Sequence, residues 1–223
     1  MRTNVRTFCK ACSEALDLPG PVYEFGAFCY PEQAELANMR GFFKDKGYVG
    51  CDVQEGCNVD RVEDLEALTL PDESVGTAIA LETLEHVQDI QKAFKELYRV
   101  LKKGGVLIVA SPFIFPIHDV PNDYWRFTPK ALAFLMKEFD VKFIGTHADP
   151  LNPHTVYGIG FKGCDRSQVI DRINLFYENF LQESRRPHKA SYELSLFIKG
   201  LIKGREYVDN VRKRHLVKFD FYE

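Results

Sequence analysis

Val22-Tyr23-Glu24-Phe25-Gly26-Ala27 is a short apolar run that ends in a carboxylate and a turn glycine, and it limits the fold more than any other stretch of the chain. A strand that breaks at glycine leaves backbone N–H groups aimed into the crevice beyond it, which is how open α/β sheets hold nucleotide-like ligands. A second run, Tyr48-Val49-Gly50-Cys51-Asp52-Val53, also finishes at an acid. Between them Pro31 is placed to open a helix, with Leu36, Met39 and Phe43 at three- and four-residue steps and Gly47 as its stop. Together these pieces form a β-α-β unit that brings Asp52 to the carboxyl edge of a parallel sheet, beside Gly26.

The turn also limits the ligand. Pyrophosphate sites need glycine at three spaced positions, and here Phe28 and Pro31 stand at the other two. Glu24 would repel phosphate and attract an ammonium or sulfonium group. Asp52 either caps a loop or offers two oxygens matched to the vicinal hydroxyls of a ribose. S-adenosylmethionine meets both demands.

Val59 to Leu65 is a candidate third strand. Asp64 and Leu65 there supply an acceptor and an apolar plate for an adenine, unless these acids simply sit solvated on an edge. After the turn cluster Pro71-Asp72-Glu73-Ser74, Val75 to Leu81 is a buried strand that ends at Glu82-Thr83. Phe94, Leu97, Tyr98 and Leu101 mark one face of a helix closed by Lys102-Lys103-Gly104-Gly105, and Val106 to Ala110 is the next parallel strand. Thr128-Pro129 caps a further helix, and Val141 to Thr146 and Thr155 to Gly163 are the last two strands. The turn-rich loop Asp149 to His154 between them is placed to overhang the site.

The runs Glu24-Phe25-Gly26, Gly50-Cys51-Asp52, Val59 to Leu65, Leu81 to Val87 and Arg99 to Gly105, in that order, resemble the class I S-adenosylmethionine-dependent methyltransferases. The likeness is to the broad methyltransferase-domain group related to ubiquinone and menaquinone biosynthesis enzymes, and it covers about Val22 to Pro150. It implies an α/β, Rossmann-like, seven-stranded and mostly parallel sheet with helices on both faces and the last strand antiparallel. It also implies that Glu24, Phe25, Gly26 and Ala27 hold the methionine end of the cofactor, Asp52 and Val53 the ribose, and Asp64 and Leu65 the adenine. Glu82 then lines the methyl-transfer site. Phe28 and Tyr30 stand where the family places later glycines.

Ser111 to Thr128 is a proline-punctuated loop rich in aromatic and titratable side chains, and it is the candidate substrate site. Methyl transfer needs a nucleophile aligned within about 3 to 3.5 Å of the methyl. For a hydroxyl acceptor, His118 is the first choice of base, because its unperturbed pKa of about 6.5 lies near working pH. Asp123 is the second, and Tyr124 completes the candidate catalytic set. Trp125 either clamps the loop or stacks on substrate, and Arg126 pairs either an acidic substrate group or Asp123 or Asp119.

The net charge of −3 hides an asymmetry: Ser184 to Lys218 carries ten Lys or Arg against three acids. Residues 1–164 are expected to be the methyltransferase domain. Residues 165–223 are expected to be a C-terminal helical extension, with apolar faces at Val169 to Leu181 and Leu194 to Ile202 that suit a homodimer. The basic stretch is either a solvated face or a contact for an anionic partner. No run of eighteen apolar residues and no signal-like N-terminus is present, so a cytoplasmic location is expected. The six cysteines are then reduced, and Cys9-Lys-Ala-Cys12 is half of a zinc site with nothing to complete it, so no metal is expected.

The functional expectation is methyl transfer to an oxygen of a small-molecule or glycan-type acceptor. The alternative is a silent S-adenosylmethionine-binding module with an interaction role. An RNA methyltransferase is third and disfavoured, because Glu82-Thr83-Leu84 stands where the base-modifying motif would be.

Overall fold

The computed structural model describes residues 2–184 and 216–222. The strands are β1 (Val22–Phe25), β2 (Tyr48–Asp52), β3 (Arg61–Val62), β4 (Val75–Leu81), β5 (Leu101–Pro112), β6 (Val141–Asp149), β7 (Asn152–Phe161) and β8 (Val217–Tyr222). They make one sheet in the order β3-β2-β1-β4-β5-β7-β6-β8. The first five are parallel, β7 is antiparallel to β5 and β6, and β8 is antiparallel to β6. Strand order reverses between β1 and β4, which opens a crevice at their carboxyl ends. The doubly wound, Rossmann-like architecture expected from the sequence is the one observed.

The helices are α1 (Thr3–Ala15), the single turn α2 (Ala34–Ala37), α3 (Ile90–Val100), α4 (Pro129–Leu135) and α5 (Arg166–Ser184). Alternation along β4 and β5 divides the core in two. Ile79, Leu81, Val106 and Ile108 pack with α1 and α5, while Ala78, Ala80, Leu107 and Val109 pack with α3 and α4. β4 is buried at all seven positions, as a strand covered on both faces must be.

Four differences from the sequence reading have physical causes. The helix expected from Pro31 to Gly47 is broken into a 3-10 turn, α2 and a second 3-10 turn. Asn38 accepts a hydrogen bond on its own side chain from the Arg40 N–H at 2.9 Å, and this local turn replaces the next helical one. Met39 and Phe43 are nevertheless buried, so the periodicity marked packing but not backbone. The second difference is at the end of α3. It stops at Val100, because Leu101 already pairs with Val75 and the Lys-Lys-Gly-Gly run lies within an irregular start of β5. Third, β6 and β7 extend to Asp149 and Asn152, so the expected overhanging loop is a tight hairpin.

The fourth difference is β8, a strand where residues 165–223 were expected to be helical. Val217, Phe219 and Phe221 alternate toward the core, and the sheet gains an eighth strand beside β6. Gly145 makes room for it, since a Cβ there would lie 2.4 Å from the Phe219 ring. Phe219 joins Phe8, Tyr157, Phe176 and Phe180 in one aromatic cluster, with Phe8 stacked on Tyr157 at 4.4 Å. The expected helix at Leu194 to Ile202, and most of the basic stretch, lie outside the described residues. Cys9 and Cys12 are buried in α1, and burial pushes both thiols well up. No helix among the described residues is long and apolar enough to cross a membrane.

Candidate active site

A cavity of about 430 Å³ opens at the carboxyl ends of β1, β2 and β4, within the range of small-ligand sites. From β1 and its turn come Phe25 and Gly26, and from β2 come Asp52 and Val53. Asp64 and Leu65 follow β3, Glu82 and Thr83 follow β4, and Tyr124 reaches in from the loop after β5. These side chains, far apart in sequence, are thereby brought together.

The β1 turn is held tightly. Gly26 has φ +83°, and its N–H and that of Ala27 both donate to the Cys51 carbonyl at 2.9 Å. Asp52 accepts from the Phe28 N–H at 3.1 Å and from the Gln54 N–H at 3.3 Å, so its carboxylate is fixed at the cavity wall. Asp64 accepts from the Glu66 N–H at 2.8 Å, and Leu65 is buried beside it. Glu82 has φ +55° and accepts from the Arg2 N–H at 2.9 Å and from the Arg2 guanidinium.

Four expected site residues do not line this cavity: Glu24, Ala27, His118 and Asp123. Glu24 is buried behind the turn, where it accepts a hydrogen bond from the Tyr48 hydroxyl. Burial pushes its carboxyl up to about 8, against the lowering effect of Arg40 and Arg6. Ala27 is buried. His118 sits one ring away, packed edge-on against His86, which does line the cavity.

Asp123 organises the loop between β5 and α4. It accepts from both Arg126 guanidinium nitrogens, at 2.6 and 2.8 Å, and from the His118 N–H at 2.9 Å. The Arg126 hydrogen bonds hold its carboxyl well below the usual carboxylate range. The loop then docks on the turn after β4: the Tyr124 and Trp125 N–H groups donate to the Glu85 carbonyl, and the Trp125 indole donates to the Val87 carbonyl at 2.8 Å. Of the two roles open to each, Arg126 thus makes the internal pair and Trp125 the clamp.

Residues 31–109 match the family model described as "Methyltransferase domain", and those residues carry β2 to β4 and most of β5. Over these residues the chain is similar to that methyltransferase family. Solved structures share its fold. One is a SAM-dependent methyltransferase from Archaeoglobus fulgidus, 17% identical, with a TM-score of 0.51, over 70% of this chain and 94% of that one. A second is the 1,6-didemethyltoxoflavin-N1-methyltransferase of Burkholderia thailandensis, solved with 1,6-didemethyltoxoflavin and S-adenosylhomocysteine. It is 16% identical, with a TM-score of 0.50, over 72% of this chain and 79% of that one. A third comes from a methyltransferase–activator complex of Haloferax volcanii, 14% identical, with a TM-score of 0.52, over 71% and 90%. No curated protein sequence matches.

Several residues of the methyltransferase site escaped the sequence reading. Thr83 packs against Gly26, and a Cβ on that glycine would fall 2.0 Å from its Oγ1. Glu85 is fully buried, and burial pushes its carboxyl up to about 8. Its neighbours in sequence, Glu82, Thr83 and His86, are polar, so nothing local marked it as the acid that is buried.

Proposed function

We propose that this methyltransferase moves the methyl of S-adenosylmethionine to an oxygen of a small-molecule or glycan-type acceptor held under the loop between β5 and α4. The observation that carries this reading is that the fixed Asp52 carboxylate and the Gly26 turn open on one cavity of adequate size. In this assignment Asp52 and Val53 take the ribose, Asp64 and Leu65 the adenine, and Phe25 and Gly26 the methionine end, with Ala27 buried behind them. Glu24 supports that turn from behind, and Glu82 borders the methyl. The cofactor supplies an activated methyl and its own leaving group, so the protein's work is alignment and removal of the acceptor proton.

In the metal-free protein we assign that proton to His118. Its Nδ1 lies 3.0 Å from Asp123, which orients the ring and leaves Nε2 to accept. Tyr124 lines the cavity on the acceptor side. Calorimetry tests the cofactor half: Asp52→Ala is expected to abolish S-adenosylmethionine binding, and unchanged affinity would remove the assignment. Transfer of labelled methyl into a metabolite extract tests the rest, with His118→Ala expected to slow turnover by about 10²- to 10⁴-fold. Phe28 also lines the cavity, which favours a second reading as a silent binding module; wild-type turnover in that assay excludes it.

A further inference from the structure

Glu85, His86 and His118 bring one ligand atom each to within 4.8 Å of one another. Glu85 lies on the turn Leu84–His86, with its side chain wholly shielded from solvent. Its Oε2 accepts from the Ser111 hydroxyl at 3.1 Å, while its Oε1 is buried and has no hydrogen-bond partner. A bare buried carboxylate oxygen is a standing cost that a bound cation would remove.

The two imidazoles are prepared in the same sense. His86 Nδ1 is 2.7 Å from the Asn122 carbonyl, and its Nε2 faces Glu85 Oε1 at 4.0 Å. His118 Nδ1 is 3.0 Å from Asp123 and 3.2 Å from the Pro116 carbonyl. With each Nδ1 proton given to an oxygen, each Nε2 keeps its lone pair. Metal-binding histidines are set in this way, by outer contacts that fix both tautomer and ring angle.

The surrounding charge agrees. Arg126 is neutralised by Asp123 and Arg2 by Glu82, while Asp119 adds a carboxylate 4.0 Å from His86 Nδ1. We propose that Glu85, His86 and His118 bind one divalent transition-metal ion at the rim of the cavity. Two imidazoles and a carboxylate suit zinc, manganese, iron(II) or cobalt rather than magnesium or calcium. Ligand atoms of a four-coordinate ion with bonds of about 2.0 to 2.2 Å lie roughly 3.5 Å apart, so the site closes by small ring movements.

Three protein ligands leave a coordination position open, and His86 lines the cavity, so that position faces the acceptor. This consequence rests on the methyltransferase reading. An acceptor oxygen bound there loses its proton more readily through the ion's charge, and that route replaces His118 as base, because one Nε2 lone pair serves one partner.

The test is titration of the metal-free full chain with Co²⁺ and Zn²⁺, followed by visible absorption and calorimetry, with S-adenosylmethionine binding measured on the same samples. One equivalent is expected to bind wild type, with cobalt d–d bands and without the near-ultraviolet thiolate band that Cys29 and Cys57, 3.7 Å apart, would give. Glu85→Gln and His118→Ala are each expected to remove this site, and Asp123→Asn to weaken it about 10- to 100-fold. His118→Ala changes a half-exposed loop residue, so retained cofactor binding shows that it has folded. Absent stoichiometric binding by wild type, a thiolate band, or binding that survives His118→Ala overturns the proposal. A wild type that binds one equivalent of metal but no S-adenosylmethionine supports the site and sinks the previous subsection instead.

Discussion

Thr83 fills the space that any side chain at Gly26 would need: a Cβ built there meets its Oγ1 at 2.0 Å and its Cγ2 at 2.6 Å. The last residue of the β1 turn is therefore locked against the first residues after β4, across the switch point where the cavity opens. Gly26→Ala meets this contact and also a left-handed φ, at about 1 to 2 kcal/mol for the backbone and about 1 to 3 for overpacking. Denaturant unfolding should show a loss of that order together with weakened S-adenosylmethionine binding. Adding Thr83→Ala should restore part of the stability but not the backbone share, and full recovery would show that φ contributes nothing.

Glu24 gives a pH dependence of defined sign. Its folded-state carboxyl is raised by burial from an ordinary 4.5 to about 8, so the folded protein holds a proton that the unfolded chain releases. Stability from this group is present below pH 4.5 and is lost as pH rises toward 8, with a slope of at most about 1.4 kcal/mol per pH unit. Glu24→Gln should remove that slope, so urea midpoints of variant and wild type should diverge between pH 6 and 8.5. Parallel curves would mean that Glu24 ionises in both states alike.

Asp123 carries the opposite sign. Arg126 holds its carboxyl below the usual range, so its contribution is present at neutral pH and is lost only as pH falls through that depressed value. Asp123→Ala should free the loop at every pH. The chain has a single tryptophan, Trp125, clamped through its indole N–H to the Val87 carbonyl, so its emission reports the loop directly. A red shift in the variant at pH 7 is expected, and an unshifted spectrum would show that the loop docks without Asp123.

Phe219 anchors β8 in the aromatic cluster through rings on α1, α5 and β7. Phe219→Ala should cost about 3 to 5 kcal/mol, read as a lower denaturant midpoint with an unchanged slope. Cofactor affinity should not change, because β8 lies at the sheet edge remote from β3 and the cavity. A loss of affinity at constant fold would contradict that separation.

What could be read from the sequence follows from which signals are local. β4 is a continuous apolar run, and Asp52 and Gly26 mark strand ends, so both the sheet and the two sides of the cavity were legible before any coordinates. The crossover after Pro31 was not, because Asn38 competes for the backbone with its own side chain and the spacing of Met39 and Phe43 suits a broken path as well as a helix. β8 alternates over only six residues, too short to stand out, and its reason for existing is a gap at Gly145 that no sequence displays. Glu85 was hidden for another reason: its significance lies in an oxygen left bare, and satisfaction is a property of neighbours in space.

Arg2 stands at the head of α1 and grips Glu82 through both its main chain and its guanidinium, 80 residues away and at the cavity wall. The seating of that first helix and the filling of the cavity are then linked equilibria, each shifting the other by the same free energy. A change that breaks the Arg2–Glu82 contact is expected to weaken the grip on the cofactor, and cofactor in turn to slow amide exchange at the head of α1.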